Sequence, residues 1–291
     1  MMDCVIQFRD ALQGTFGLLD WLPEPDGAIR RFHVPGDKQG SFNGWYLLFA
    51  DGIASGCFGS WKAGTSHTWS SRAPADHLEA QLIRQRIEQA KRQREAEQHQ
   101  RQQATAEYAN RLWRDARRAD PAHPYLIAKG VRAYALRQHG DVLLVPLTFG
   151  GQLVNLQRIK PDGTKRFLFG GMVKGCCSPL GSITDGKPWY LCEGWATAAT
   201  IHAETGAPVA AAMNAGNLLA VGQRLQRQHP DAVLIVAGDN DRQTEGNPGK
   251  TAAIKAAAAL GCGLVLPEFP AAAPLTLSDF NDLRQWREAN Q

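Results

Sequence analysis

From residue 183 onward, apolar runs of strand length alternate with stretches of helix length. The runs are 189–192, 208–213, 232–237 and 263–266; between them lie an Ala/Thr-rich stretch to Thr205, a stretch opened by Asn217 as its cap, and an alanine-rich stretch that Pro248 begins and Leu260 ends. Continuous apolar strands separated by helices predict a parallel sheet with helices on both faces. A final helix is expected after Leu277-Ser278-Asp279-Phe280-Asn281-Asp282-Leu283.

Upstream the pattern differs. Residues 1–72 show short alternating runs at 29–34, 44–49 and 55–61, separated by Pro25-Asp26-Gly27 and Ala50-Asp51-Gly52, which predicts a small antiparallel sheet of hairpins. Its aromatic residues are read either as the core of that sheet or, at Trp45 and Trp61 beside Lys62, as a surface on which bases stack. From residue 75 to 119 there is neither Gly nor Pro, and Gln, Arg, Glu and Ala dominate; this predicts a long, weakly amphipathic linker helix with no sustained heptad. Two strands at 142–147 and 152–158, joined at Gly150-Gly151 and followed by Lys165-Arg166-Phe167-Leu168, open a second compact region. The divisions expected are a small β-rich auxiliary domain at 1–74, the linker helix at 75–118, a basic mixed α+β region at 119–182 and the α/β domain at 183–291.

The chain has 291 residues, 44% of them hydrophobic, and a net charge of +4. That charge is uneven: 119–182 carries eight Lys/Arg against three Asp/Glu, whereas 183–291 carries eight against eleven. A basic region beside an acidic one suits an enzyme that handles phosphodiesters. Six cysteines without a C-x-x-C pair disfavour a zinc ribbon or a disulfide framework. No run is long and apolar enough to span a membrane, and no secretory leader is visible, so a cytoplasmic location is expected.

The chemistry concentrates where strands end in glycine and acid. Glu193-Gly194 follows the first strand of the α/β region, and Gly238-Asp239-Asn240-Asp241 follows its third. Ionised carboxylates brought together at a sheet edge repel one another unless a divalent cation offsets them, and hard oxygen ligands suit Mg²⁺ or Mn²⁺. The competing reading makes these acids helix caps.

Glu193-Gly194, Asp239-x-Asp241 and the downstream Gly246-x-x-Gly249-Lys250-Thr251-Ala252-Ala253 helix resemble the Toprim domain shared by bacterial primases, topoisomerases and some nucleases. Tyr125-Leu126-x-x-Lys129-Gly130, Val145-Pro146-Leu147, Gln157-Arg158 and Gly163-Thr164-Lys165-Arg166-Phe167-Leu168 resemble the polymerase core of bacterial replicative primases. The order of parts is similar to primases of conjugative plasmids and phages. The resemblance implies Glu193 as the catalytic acid, Asp239 and Asp241 as metal ligands, and Asp279 and Asp282 as a late acidic motif near the metal. It also implies Lys129, Arg158, Lys165, Arg166, Lys174 and Lys250 as contacts to nucleotide and template. Thr197 stands where the family carries a second acid one helical turn after the glutamate. The function implied is RNA primer synthesis on single-stranded DNA from ribonucleoside triphosphates, with Mg²⁺ or Mn²⁺ and with a replicative helicase as a further partner. A Toprim nuclease and a catalytically decayed single-strand-binding accessory protein stay open as alternatives.

Overall fold

The computed structural model describes residues 2–37, 39–60, 63, 65–182 and 187–290. The chain forms two compact units, residues 1–100 and 101–291.

In the first unit, helix α1 (Met2–Phe16) precedes strands β1 (Arg30–Phe32), β2 (Gly44–Phe49), β3 (Ser55–Ser60) and β4 (Thr65–Ser70), an antiparallel sheet in sequential order. Helix α2 (His77–Asp115) begins in this unit. The sheet is covered on both faces. On one, Val5, Phe8 and Leu12 of α1 meet Phe32, Tyr46, Leu48 and Phe58; on the other, Ile87 of α2 meets Trp45, Leu47 and Cys57. Period-two alternation explains the split, since neighbours along β2 point to opposite faces.

Two expectations change here. The hairpin sheet gains α1, which the sequence reading placed in no element, and Trp45 is not a stacking platform. Only 5% of Trp45 is exposed, because α2 lies over it, and a buried indole offers no face to a base. Trp61 and Lys62 lie outside the described residues. The helix expected at 75–118 is present as α2; Ile83 and Ile87 are packed in the first unit and Ala109 and Leu112 in the second, while Leu78, Leu82 and Tyr108 are exposed.

The second unit holds two five-stranded sheets. The first is antiparallel, in the order β5 (Arg117–Arg118), β6 (Arg137–His139), β7 (Val142–Phe149), β8 (Gln152–Ile159), β9 (Lys165–Phe167), with the short helix α3 (Pro124–Lys129) between β5 and β6. The second continues through β10 (Ser178–Leu180), β11 (Trp189–Cys192), α4 (Trp195–Thr205), β12 (Val209–Ala211), α5 (Leu218–Gln228), β13 (Leu234–Ala237), α6 (Pro248–Leu260), β14 (Gly263–Val265) and α7 (Phe280–Ala289). Its order is β10-β12-β11-β13-β14, with only β10 antiparallel. This is the mixed α/β architecture expected from the sequence, with α5 and α6 packed on one face and α4 on the other.

The strand order locates the functional edge. The chain leaves β11 toward β12 on one side, then crosses back to β13 on the other, so β11 and β13 lie side by side at the point where the winding reverses. A crevice opens at the carboxyl ends of such strands.

Asn217 does not cap α5 with its side chain. It accepts from Gly175 N–H at 2.7 Å and donates to the carbonyls of Val173, Cys176 and Ala212 at 3.0, 3.0 and 2.8 Å. An amide with both donors and an acceptor satisfies a buried loop better than one orphaned helix N–H, so Asn217 pins the 173–177 segment to the parallel sheet. All six cysteines are free. No described helix is long and apolar enough to cross a membrane.

Candidate active site

Cys192 of β11 is in register with Ala237 of β13, so Glu193, next after β11, and Asp239, two beyond β13, leave the sheet at neighbouring points. Gly238 and Gly249 make the approach possible. A Cβ on Gly238 would collide with Ala253 of α6, and one on Gly249 would lie 2.7 Å from Asp241 Oδ2 and 3.1 Å from Asp239 Cβ. Both carboxylates therefore crowd the first turn of α6. Gly249 N–H donates to Asp241 Oδ2 at 2.8 Å, and Asn247 accepts from Asp241 N–H at 2.8 Å and from Lys250 N–H at 3.3 Å. Asp241 thus also complements the positive end of a helix.

The late acidic motif enters through α7. Asp279 is its N-cap, accepting from Asp282 N–H at 2.8 Å, while Asp282 accepts from Ser278 N–H at 3.0 Å. These reciprocal bonds form a capping arrangement. The free oxygens are also engaged. Thr197 Oγ1 on α4 donates to Asp279 Oδ2 at 3.1 Å, and Lys129 Nζ lies 3.4 Å from Asp282 Oδ1. In place of a second negative charge, Thr197 supplies a donor that orients one.

Lys129 reaches the acids because α7 grips the end of α3. Asn281 and Arg284 donate to the Lys129 carbonyl at 2.7 and 2.9 Å, Arg284 also to that of Gly130 at 2.9 Å, and Gln285 to that of Ala128 at 2.8 Å. These are the orphaned carbonyls of a helix C-terminus. Lys165 approaches from β9, its ammonium 5.2 Å from the centre of the Tyr125 ring.

Capping accounts for Asp241, Asp279 and Asp282, which the sequence could read either way. It does not account for Asp239. Asp239 Oδ1 is buried with no hydrogen-bond partner. Burial, then the charges of Glu193, Asp279, Asp241 and Asp282, push its pKa up to about 8. The Glu193 carboxyl is raised by burial and by Asp241, against Ala215 N–H and Lys165; Asp279 is raised by burial and Asp282. Burial lowers Lys129, but Asp279 and Asp282 overcome it and hold its pKa above the ordinary lysine value. Burial and the charge of Lys129 lower the pKa of Lys165, against the pull of Asp279, Asp239 and Glu193.

An unpartnered buried oxygen costs roughly 1–3 kcal/mol, a sizeable part of a typical stability of about 5–15 kcal/mol. Hard oxygen donors around an orphaned carboxylate suit a divalent ion such as Mg²⁺ or Mn²⁺. Among the described residues, no three acidic, His or Cys side chains are close enough to enclose an ion as they stand.

The remaining candidates divide. Lys250 lies in the first turn of α6, next to Gly249. Lys174 is exposed on the segment held by Asn217. Arg158 and Arg166 pair with each other and with Leu144, in the row that faces α2, whereas Lys165 pairs with Ile159 in the row that faces the parallel sheet. A one-residue offset puts them on the far side of the sheet from the acids. The sequence reading grouped them with Lys165; the register separates them. That reading assigned no role to Asn217 beyond capping and none to Asn281 or Arg284. Their signal was polarity at positions the helical pattern makes internal.

The parallel sheet presents its acids at the switch between two central strands, where open α/β sheets place their sites, and residues 189–289 match the Toprim domain model. The chain is a relative of Toprim-domain DNA primases. It is 35% identical over 260 residues to a DNA primase TraC of Escherichia coli, covering 85% of this chain and 18% of the relative. It is 34% identical over 262 residues to a second TraC of Escherichia coli, covering 85% and 24%. The chain thus spans about a fifth of the length of these relatives. The primase fragment of the bacteriophage T7 primase-helicase protein is similar over 60% of this chain and 76% of that one, at 14% identity and a TM-score of 0.42.

Proposed function

We propose that the chain is the catalytic core of a DNA primase, joining ribonucleotides on a single-stranded DNA template. The observation that carries this reading is the orphaned Asp239 carboxylate among Glu193, Asp241, Asp279 and Asp282, with Lys129 and Lys165 beside it. Sequence relationship to DNA primases supports it.

Asp239 and Asp241, next to Glu193, would hold Mg²⁺ or Mn²⁺, whose chemistry is to offset charge on the entering and departing oxygens of a phosphoryl transfer. Thr197 and the α7 cap fix Asp279 at the edge of this set. Lys165 and Lys129 bind the triphosphate. The 3′ hydroxyl of the first nucleotide attacks the α-phosphorus of the second; a P–O bond forms, the bond to the β-phosphate oxygen breaks, and pyrophosphate departs. Glu193, its pKa raised by burial, takes the hydroxyl proton.

Incubating the protein with single-stranded DNA, ribonucleoside triphosphates and Mg²⁺ or Mn²⁺ tests this directly. Template-dependent oligoribonucleotides are expected. Shortened DNA would replace the proposal with a Toprim nuclease, since the same acids serve water in place of a sugar hydroxyl. Binding without either product would replace it with an accessory role.

A further inference from the structure

The two lysines beside the acid cluster are held in different ways. Lys129 is ion-paired with Asp282 at 3.4 Å, so part of its charge is spent within the protein. Lys165 has no ion pair among the described residues. Its ammonium instead lies 5.2 Å from the centre of the Tyr125 ring. That ring is fixed: Tyr125 is 4% exposed, its N–H donates to His123 Nδ1 at 3.2 Å at the start of α3, and a Cβ on Gly163, in the β8–β9 turn that carries Lys165, would lie in van der Waals contact with it at 3.9 Å. The hydroxyl is buried without a partner, so a hydrogen bond from it does not explain the placement.

A carboxylate would orient an ammonium but neutralise it. The face of an aromatic ring attracts a cation through its quadrupole and leaves the net charge in place. We propose that Tyr125 is the positioning residue for Lys165, its buried ring holding the ammonium near the acids without an ion pair, so that it is tied to no single carboxylate when it meets the nucleotide triphosphate. This rests on the primase reading for its ligand, while the placement of Lys165 does not.

Two measurements test it on the full chain. In protein with ¹³C-labelled lysine, the Lys165 ε-methylene signal is expected upfield of the other lysines through the ring current, and to return to the common position in Tyr125→Leu. In steady-state primer synthesis, Tyr125→Leu is expected to raise KM for the nucleotide about fivefold to tenfold with kcat little altered, the range an ammonium–ring contact provides. Tyr125→Phe, which keeps the ring, should restore KM, and in a Lys165→Ala background Tyr125→Leu should add nothing. A Lys165 signal at the common position, or a KM effect of equal size without Lys165, overturns the proposal. If wild-type protein makes no primers, the primase reading fails, and the lysine signal still decides whether Tyr125 positions Lys165.

Discussion

The two sheets of the second unit contribute to the site by opposite means. The parallel sheet buries its strands on both faces, with Leu191, Val236 and Ala237 inaccessible, and reaches the site only where β11 and β13 stop. The antiparallel sheet contributes along a strand. Ile159 and Lys165 share one of its faces, Arg158 and Arg166 the other, and one residue of offset decides which side chain meets the acids. Sites at strand ends tolerate register error poorly in length, whereas sites on a face tolerate it poorly in parity. The cationic half of this site is therefore the half most easily misassigned.

The largest effect should come from the strand ends. Glu193→Gln and Asp239→Asn are each expected to lower primer synthesis about 10²–10³-fold, as loss of one preorganised charged group does, with single-stranded DNA affinity nearly retained. Equal synthesis by either variant would detach the acids from the chemistry and leave the contrast with the second sheet empty.

The face rule predicts a smaller, sharper difference. Lys165→Ala should raise KM for nucleotide about tenfold, the loss of one charge-assisted contact. Arg158→Ala and Arg166→Ala, on the far face, should change it by less than about twofold. A titration in which all three behave alike would mean that the nucleotide approaches from both faces.

The smallest effect concerns stability. Glu193, Asp239 and Asp279 have folded-state pKa values above their ordinary ones, Asp239 at about 8. The native state therefore keeps protons that the unfolded chain releases, and stability is full below the unfolded value and falls as pH rises toward 8. Without divalent ions Tm should drop by several degrees between pH 5 and 8, Asp239→Asn should flatten that slope, and Mn²⁺ at pH 8 should restore Tm. A metal-free Tm independent of pH would show that the carboxylates are already balanced.

Much of the parallel sheet was legible because its signals are local. Apolar runs that end in an acid beside a glycine need no partner to be recognised, and Glu193, Asp239 and Asp241 lie at the ends of such runs. The antiparallel sheets were less legible. In β2, covered by α1 and α2, Trp45 and Tyr46 are both buried, so alternation alone could not say which aromatic faces water. Strand β4, Thr65–Ser70, is polar and largely exposed apart from Trp69, too little for a strand pattern. Helix α1 did carry one, with Val5, Phe8 and Leu12 at helical spacing, but the aromatic strands after it set the reading of the whole segment. Thr197 could be seen to break the acid pattern. That it donates to Asp279, 82 residues away, is long-range information that no window contains.

The grip of α7 on α3 sets an order of events during synthesis. The carbonyls of Ala128, Lys129 and Gly130 find their donors on residues more than 150 positions later. While the ribosome is still making α6, α3 has an unanchored end and the partner of Lys129, Asp282, does not yet exist. A nascent chain can thus fold its sheets while the end of α3 hangs loose, and Lys129 takes up its place beside Asp282 only once α7 has been made.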